Sequence, residues 1–465
     1  MLIFLILVLS LGLRLTGLNQ SFWLDEAAQL IESTRPLSEQ FKIAGDFQPP
    51  LFHVLLHFWL WFGKSEIWVR LLPLVLGLIS IYLLYLIAQK LVNQRVALIS
   101  SLLLAISPFH IWYSQEVRPY MLAVVLGSAA TYFLLKRNWV KYTVAAILLI
   151  YSMYLTPFLV LTHGVYVWIW QREQFKRWLI SLLVISLSFI PWIPSFWQQL
   201  GIGSSLRFTL PGWSEAVSTP IYKSLPLIFA KFTLGRITFA NKWFYGGLVS
   251  GLFIFFGILF AGGYKKFKSE ISQVGLLGVL PILLAFGAAF FLPILAPQRV
   301  LFSLPFFYVL WSIGLVSRPR LKQVGLTILI GVSLYSWYLY HSRPEFQREQ
   351  WRQAVSYVEN NRTAKSKVIF VFPDAFAPWQ WYSHGLVENI AVAPTFTVKE
   401  TELSQFTSSL VTSDRLFYFH YLTDLTDPSH RSENYLVNLG FFETQKIDFP
   451  GVGFISIYEK IMAWR

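Results

Sequence analysis

Long apolar segments separated by short polar connectors fill the first 340 residues and restrict the folds open to this chain. A helix needs roughly 20 apolar residues to cross a bilayer. Hydrophobic residues make up 55% of the 465 residues and charged residues only 13%, whereas a soluble protein carries about 25% charged residues. We therefore expect most of the chain to face lipid. The segments lie near residues 1–18, 66–89, 96–113, 119–135, 142–170, 178–198, 243–262, 273–293, 300–316 and 323–340.

Two of these segments need individual interpretation. The 142–170 segment is longer than one span and contains the break Tyr154-Leu155-Thr156-Pro157, which predicts a hairpin of two short helices. The 1–18 segment lacks the basic start and the small-residue cleavage site of a signal peptide, so we expect a retained first helix. The total is about eleven spans by the length rule.

Basic residues cluster in alternate short connectors, which remain in the cytoplasm by the positive-inside rule. We therefore expect a cytoplasmic N-terminus, with connectors 19–65, 114–118, 199–242 and 294–299 and everything after residue 340 on the external side. Topology accounts for most of the net charge of +14, so nucleic acid is not an expected partner. The basic residues are Lys90, Arg95, Lys136, Arg137, Lys141, Arg172, Lys176, Arg177, Lys265, Lys266, Lys268, Arg318, Arg320 and Lys322.

The tail from residue 341 has a different pattern. Residues 350–361 read as an amphipathic helix and residues 367–372 as a buried strand, and later strands are expected at 416–420, 441–448 and 454–458. This pattern predicts a small external α/β domain at 341–465, beside a transmembrane domain at 1–340. The aromatic run Trp379-Gln380-Trp381-Tyr382 fits either a core position or stacking on a sugar ring. The absence of Cys excludes disulfides, thiolate metal sites and Cys nucleophiles.

The first external connector, 19–65, holds charges that membrane topology does not explain. Asp25 and Glu26 follow the first span at once, and Asp46, Gln48 and a double Pro come later. The prolines fix an extended turn before a helix, with His53 on its first turn. A structural alternative is that Asp25 caps a surface helix starting at Glu26 or Ala27.

Two very short external connectors also hold charged residues. Gln115, Glu116, Arg118 and Tyr120 lie in the first and Arg299 in the second. An interfacial ion pair or a snorkelling anchor would explain them structurally. Arginines on short external connectors, which are otherwise nearly free of Lys and Arg, also fit binding of an anionic lipid head group. Arg70, near the start of the second span, is a weaker third candidate.

Taken in order, these motifs resemble a known family. Trp23-Leu24-Asp25-Glu26, Gln48-Pro49-Pro50-Leu51, Ser114-Gln115-Glu116-Val117-Arg118-Pro119-Tyr120, Gln298-Arg299 with Pro305, and Gln350-Trp351-Arg352-Gln353-Ala354-Val355 follow the pattern of bacterial polyprenyl-phosphate-sugar-dependent glycosyltransferases. These are the protein mannosyltransferase-like and aminoarabinose transferase-like membrane enzymes of the GT-C fold class. The resemblance implies a polytopic α-helical membrane protein of that class with a small external C-terminal α/β domain, located in the bacterial inner membrane.

The resemblance also implies a reaction and roles for residues. A sugar would pass from a polyprenyl-phosphate donor to a hydroxyl of a lipid, glycan or protein acceptor, with inversion, and membrane lipids would surround the enzyme. Asp25 would be the general base and Glu26 would orient Asp25 or the acceptor. Arg118 and Arg299, with Arg70 as a weaker candidate, would bind the donor phosphate. The cavity would be lined by Asp46, Gln48, His53, Gln115, Glu116 and Tyr120.

One position departs from the aminoarabinose transferase-like pattern, because Gln48 stands where those enzymes carry a Lys before the Pro. The phosphate contacts must then depend on the arginines. Asp46, His53 and Glu116 have the ligand types of an oxygen and nitrogen metal site. A lipid-phosphate monosaccharide donor lacks the pyrophosphate that usually calls for a cation, so we expect no essential metal or other cofactor.

Two other classes of function remain open from the sequence. A secondary transporter or lipid flippase would show internal repeats and helices broken at mid-membrane. The break at 154–157 favours that class, whereas the sequence shows no repeat and its charges gather at one face. A non-catalytic envelope scaffold would tolerate replacement of Asp25 by Asn.

Overall fold

The computed structural model describes residues 1–42, 46–209, 212, 218–264, 266–371, 376–393, 398, 403, 406–408, 410 and 412–460. The chain forms two compact units. The first contains Met1–Leu18, Pro36–Gln199 and Val217–Ser342, and the second contains Asn19–Arg35, Leu200–Ala216 and Arg343–Arg465. Lys265 of a basic connector and Phe372 of the strand expected at 367–372 lie outside the described residues.

Helices make up most of the first unit. Among the described residues, five helical stretches are long and apolar enough to cross a membrane, and several shorter apolar helices accompany them. The expected number of about eleven spans stays a prediction by the length rule. The helices in chain order are α1 Leu2–Leu15, α2 Leu24–Thr34, α3 Leu51–Trp59, α4 Glu66–Leu91, α5 Gln94–Ile106, α6 Pro108–Tyr113, α7 Tyr120–Leu135, α8 Trp139–Ile150, α9 Pro157–Trp170, α10 Phe175–Phe189, α11 Ile193–Thr209, α12 Ile221–Leu234, α13 Lys242–Tyr264, α14 Lys268–Ala288, α15 Leu304–Ser317, α16 Pro319–Ser342, α17 Trp351–Asn360, α18 Phe376–Tyr382, α19 Thr423–Thr426 and α20 Arg431–Asn438.

Proline decides where the apolar segments break. The hairpin predicted within 142–170 is confirmed, since α8 ends at Ile150 and α9 begins at Pro157. The apolar segment 96–113 is divided between two helices, because α5 ends before Ser107 and α6 begins at Pro108. A residue before Pro disfavours the helical conformation, and the Ser107 hydroxyl instead accepts a hydrogen bond from the His110 N–H at 3.3 Å.

A mixed sheet forms the core of the second unit. Its described strands are β1 Ser366–Phe370, β2 Glu388–Ala391, β3 Arg415–Phe419, β4 Phe441–Phe449 and β5 Gly453–Lys460, in the order β2-β1-β3-β5-β4. The pairs of β1 with β2 and with β3 are parallel, and β5 is antiparallel to β3 and β4. The four strands predicted from the sequence are confirmed. The short strand β2 was not predicted, because it is mostly half-exposed and lacks a buried run.

Alternate residues of the central strands form two hydrophobic cores. Val368 and Phe370 face the side covered by Trp351 of α17, whereas Ile369 faces the other side, with Leu436 of α20. This is the period-2 pattern of a sheet buried on both faces. Trp379 of α18 is 2% exposed and belongs to the first core. Of the two roles considered for the aromatic run, core packing rather than stacking on a sugar therefore applies to Trp379. Helical membrane segments with a small α/β C-terminal region confirm the expected fold class.

Candidate functional site

Helix α2 of the second unit carries the acidic pair. It begins at Leu24 with Trp23 at the N-cap, so Asp25 and Glu26 both lie in its first turn. The alternative that Asp25 caps a helix starting at Glu26 or Ala27 is therefore wrong. The first-turn N–H groups and the helix dipole favour negative charge at these positions, which explains why two adjacent acids are tolerated there.

The two acids have different environments. Glu26 is fully buried, and its Oε1 lies 3.6 Å from Nη1 of the buried Arg348. Asp25 is only partly buried. A carboxylate that reacts with an acceptor must be accessible, so burial favours Asp25 as the reacting group and Glu26 as a residue that fixes the start of α2.

The Glu349 carboxylate also lies in the second unit. Its Oε2 accepts the Trp351 indole N–H at 2.7 Å, and its Oε1 accepts the Tyr421 hydroxyl at 3.2 Å. Burial raises the pKa of this carboxyl to about 7, with a further contribution from the charge of Asp25. Asp25 and Glu349 therefore interact electrostatically within the second unit.

The residues that lead into α2 are held by side chains and backbone from far along the sequence. The Ser21 hydroxyl donates to the Glu349 carbonyl oxygen, and the Phe22 N–H donates to the Tyr382 hydroxyl at 2.7 Å. The Phe22 ring also packs edge-on against Trp381, with 5.8 Å between centroids. These contacts fix the backbone that positions Asp25, and they give Trp381 and Tyr382 of the aromatic run a packing role.

A second charged cluster, which we call the Asp46 cluster, lies in the first unit and consists of Asp46, His53 and Arg118. Arg118 Nη2 lies 3.1 Å from Asp46 Oδ1, and His53 Nε2 lies 2.8 Å from Asp46 Oδ2. His53 is on the first turn of α3, as the sequence predicted. Burial alone would raise the pKa of the Asp46 carboxyl, but the Arg118 charge and the His53 hydrogen bond lower it below its ordinary value.

The loop that carries Asp46 is fixed by residues that the sequence interpretation missed. Gln199 Nε2 donates to the backbone oxygens of Asp46 at 2.7 Å and of Gln48 at 3.3 Å. The Gln199 amide oxygen accepts the Tyr154 hydroxyl, which itself accepts the Trp192 indole N–H at 3.0 Å. No local sequence pattern could reveal this chain of hydrogen bonds, because Gln199 and Asp46 are 153 positions apart.

The remaining candidates are buried, with Gln115 and Glu116 between α6 and α7 and Tyr120 at the start of α7. The Gln115 amide donates to the carbonyl oxygens of Arg14 and Thr16, at 2.8 and 2.6 Å, and so fixes the end of α1. Glu116 is 1% exposed and accepts the Trp112 indole N–H at 2.6 Å. The Tyr120 ring packs edge-on against Tyr113.

The other two arginines have backbone partners. Arg70 is fully buried in α4 and donates from Nη1 to the Leu18 carbonyl oxygen at 2.9 Å. Arg299 lies on the 3₁₀ turn Pro297–Ser303 and donates to the Ile294 carbonyl oxygen at 3.0 Å. Arg299 is partly exposed, which suits it to a ligand better than the enclosed Arg70.

Comparison with known proteins indicates the class of enzyme. A model of the dolichyl-phosphate-mannose-protein mannosyltransferase family matches residues 48–194. This segment includes Gln48, His53, Arg70 and Arg118, whereas Asp25, Glu26, Asp46 and Arg299 lie outside it. No curated protein sequence matches the chain.

Solved structures share the fold over nearly the whole chain. ArnT from Cupriavidus metallidurans bound to undecaprenyl phosphate has a TM-score of 0.60 and 13% identity, covering 99% of this chain and 98% of that chain. The apo oligosaccharyltransferase of Archaeoglobus fulgidus has a TM-score of 0.54 and 10% identity, covering 90% of this chain and 69% of that chain. AglB from Archaeoglobus fulgidus in complex with an inhibitory peptide and a dolichol-phosphate has a TM-score of 0.53 and 11% identity, covering 98% of this chain and 73% of that chain.

At these sequence identities the solved structures show that the fold is shared. The family match over residues 48–194 indicates the type of reaction. Both agree with the resemblance derived from the motifs, and they favour an enzyme over a transporter. The chain has the GT-C fold, and its similarity over residues 48–194 to the dolichyl-phosphate-mannose-protein mannosyltransferases indicates a membrane glycosyltransferase.

Proposed function

We propose that the protein transfers a sugar from a polyprenyl-phosphate donor to an acceptor hydroxyl, with inversion, and that Asp25 is the general base. The observation that carries this proposal is the contrast within the acidic pair. Glu26 is buried against Arg348, whereas Asp25 is partly exposed at the start of α2. The similar folds of proteins solved with undecaprenyl phosphate or dolichol-phosphate support the donor class.

The reaction needs one base and one stabilised leaving group. The Asp25 carboxylate takes the proton of the acceptor hydroxyl as its oxygen attacks the anomeric carbon of the sugar. The bond from that carbon to the phosphate oxygen breaks, and its electron pair leaves with the polyprenyl phosphate. Direct displacement inverts the anomeric carbon, and a positioned base contributes about 10²–10⁴-fold to such a step.

We assign the arginines to the leaving phosphate, whose charge increases as the bond breaks. Arg118 is oriented by its 3.1 Å ion pair with Asp46, and Arg299 lies on the turn that ends at Ser303. Donors aimed at developing charge act best when the protein holds them in place beforehand. Asp46, Gln48, His53, Gln115, Glu116 and Tyr120 support this site in the proposal, and Arg70 fixes the end of the first span.

An apolar cavity in the first unit suits the start of the donor's isoprenoid chain. Its volume is about 130 Å³, and its lining includes Ile228, Phe229, Phe232, Phe307 and Leu310 together with Ser303. Ser303 ends the same turn that carries Arg299. Arg299 and the cavity therefore share one turn of the chain. A polyprenyl phosphate bound at Arg299 needs an apolar surface for its isoprenoid chain, and the cavity supplies one.

We assign the reaction to the external face of the bacterial inner membrane. The basic connectors indicate a cytoplasmic N-terminus, which puts the first loop, the tail at 341–465 and the reaction on the external side. A reporter fused after Arg465 is expected to be active outside the cytoplasm. A cytoplasmic signal would contradict this orientation.

The function is tested with the full chain in proteoliposomes and a panel of labelled polyprenyl-phosphate sugars. We expect label to move to an acceptor hydroxyl from at least one donor, with inversion at the anomeric carbon. Free polyprenyl phosphate should inhibit, because it retains the phosphate and the chain. Movement of intact donor across the bilayer without transfer from any donor would instead support a flippase.

Transfer is also expected to survive removal of divalent cations. The donor has one phosphate, and two arginines are available for its charge, so no metal is required by this proposal. The measurement is the initial rate after dialysis against a chelator, with and without added Mg²⁺, Mn²⁺ or Zn²⁺. Loss of transfer on chelation and recovery with one of these ions would establish a metal requirement.

A further inference from the structure

Segment 218–242, which contains α12 and the start of α13, holds four basic residues and no acidic residue. Membrane topology does not explain these charges, because basic residues collect in cytoplasmic connectors and this connector is expected on the external side. An anionic ligand would explain them, since basic clusters near a membrane bind anionic head groups. The four residues are Lys223, Lys231, Arg236 and Lys242.

Arg236 is fixed against an indole ring. Its guanidinium carbon lies 4.3 Å from the centroid of the Trp112 ring of α6, which is within the range of a cation–π contact. Arg236 is exposed, and among the described residues none accepts a hydrogen bond from its guanidinium group. Stacking occupies the face of the guanidinium and leaves its N–H edges available. That arrangement suits bidentate binding of a phosphate.

Lys231, in the last turn of α12, is the second cation of this site. Its Nζ donates to the Arg236 carbonyl oxygen at 3.1 Å, and an ammonium group has three donors. Within the described part of the chain, neither cation has an acidic partner. Two cations close in the chain repel each other, and an anion that both contact would remove that repulsion. We call these two residues the Lys231–Arg236 pair.

The backbone of this pair is held in place by two neighbouring helices. Gly235 ends α12 with a φ of +73°, and its N–H donates to the Lys231 carbonyl oxygen at 2.9 Å. A Cβ at Gly235 would lie 2.7 Å from the Pro108 Cβ, so glycine allows α12 to end directly on α6. The Tyr308 hydroxyl of α15 donates to the Phe232 carbonyl oxygen at 3.1 Å. The pair therefore needs little rearrangement to bind a ligand.

The start of α13 indicates the level of the pair in the membrane. This helix is long and apolar enough to cross a bilayer, and it begins at Lys242, six positions after Arg236. Trp243 and Phe244, in its first turn, are 92% and 57% exposed. Aromatic side chains are enriched at the level of the lipid head groups. A ligand of Arg236 would therefore lie at that level.

The exposure of Arg236 favours a phospholipid over the sugar donor as this ligand. Arg118, which we assign to the donor phosphate, is 7% exposed, as expected for a site that excludes water during the reaction. Arg236 is open to its surroundings, so a phospholipid can reach it directly from the bilayer.

We propose that the Lys231–Arg236 pair binds the phosphate of an anionic phospholipid head group. Arg236 donates N–H groups to the phosphate oxygens, and Lys231 adds a second positive charge. The proposal is independent of the proposed sugar transfer, because lipid binding requires no reaction.

The test uses the full chain in detergent with equal amounts of phosphatidylglycerol and phosphatidylcholine. Both lipids contain the phosphate, but only phosphatidylglycerol has a net negative charge. Native mass spectrometry counts each lipid that stays bound. The variants are Arg236→Gln, Lys231→Gln and the double variant. Lys223→Gln is the matched control, because Lys223 is an exposed cation of the same helix outside the pair. Thermal unfolding reports whether each variant folds.

The wild type and Lys223→Gln are expected to retain phosphatidylglycerol in preference to phosphatidylcholine. Arg236→Gln and Lys231→Gln should each lower that preference by about fivefold, and the double variant by about 25-fold, the effect of one and of two basic residues near anionic lipid. Arg236→Lys keeps the charge without the planar fork of donors, so it should lose only part of the preference. This variant keeps the test informative if the Gln variants do not fold.

Three results would overturn the proposal. The wild type could retain both lipids equally, as expected if Lys231 and Arg236 only extend their charges to the membrane surface. Lys223→Gln could lose as much preference as Arg236→Gln, which would show a general effect of charge. One equivalent of free polyprenyl phosphate could displace the phosphatidylglycerol from the wild type, which would show that the pair belongs to the donor site.

Discussion

Replacing Asp25 with Asn is expected to lower kcat by about 10²–10⁴-fold, the contribution of a positioned general base. Asn has nearly the shape of Asp and keeps an acceptor at the first turn of α2, so the helix should form. The amide cannot take the acceptor proton. Initial rates of transfer in proteoliposomes, with donor and acceptor varied separately, measure the effect on kcat and on each KM.

Glu39→Gln is the matched control for this variant. Glu39 is an exposed acid on the short 3₁₀ turn Leu37–Glu39 of the same loop, and its replacement should leave the rate unchanged. The KM for the donor should change little in Asp25→Asn, because the proposal assigns donor binding to the arginines. Wild-type turnover by Asp25→Asn at every pH would remove Asp25 from the mechanism.

Replacing Arg299 with Ala is expected to lower kcat by about 10²–10³-fold, the cost of removing one donor from a developing anionic charge. Arg299→Lys should recover part of the loss, because Lys keeps the charge but not the planar fork of donors. Inhibition by free polyprenyl phosphate should weaken in both variants. Lys64→Ala is a suitable control, since Lys64 is an exposed cation of the first unit. Unchanged kcat and unchanged inhibition in Arg299→Ala would exclude Arg299 from the phosphate site.

Arg118 needs a paired design, because its removal also breaks its ion pair with Asp46 and leaves that carboxylate with His53 alone in the Asp46 cluster. Breaking a buried ion pair from one side costs about 3–5 kcal/mol, so Arg118→Ala should unfold at a lower temperature than the wild type. Arg118→Ala combined with Asp46→Asn should recover much of that stability. If the double variant folds as the wild type does and still lacks transfer, Arg118 serves the reaction. If it regains transfer, the role of Arg118 is structural.

Local sequence signals were sufficient for most of the secondary structure. The hairpin at α8 and α9, the helix at 351–360 and four of the five described strands follow from apolar runs, Pro positions and alternation. The apolar segment 96–113 is broken into two helices because the residue before a Pro disfavours the helical conformation. Strand β2 was missed because one exposed and three half-exposed residues carry no periodic signal.

The candidate site was predictable by residue type and by loop, but its contacts were not. Asp25 and Glu26 stand out because adjacent acids follow an apolar span, and Arg118 and Arg299 because they lie on connectors expected to be poor in basic residues. The Asp46 cluster joins residues 72 positions apart, and the Ser21 contact with Glu349 spans 328 positions. Glu349 lies in a polar stretch before an amphipathic helix, and no local sequence pattern distinguishes it from the other polar residues there.

The sequence by itself determined that this is a helical membrane protein with an α/β tail, and its ordered motifs indicated the glycosyltransferase class. The membrane class is visible in the sequence because a helix that crosses lipid requires a long apolar run. Only the tertiary structure decided that Glu26 is buried against Arg348 while Asp25 stays partly exposed, and that the Glu349 carbonyl oxygen accepts the Ser21 hydroxyl before α2. Those facts depend on packing between segments far apart in the chain, and the local period of the sequence carries no information about such packing.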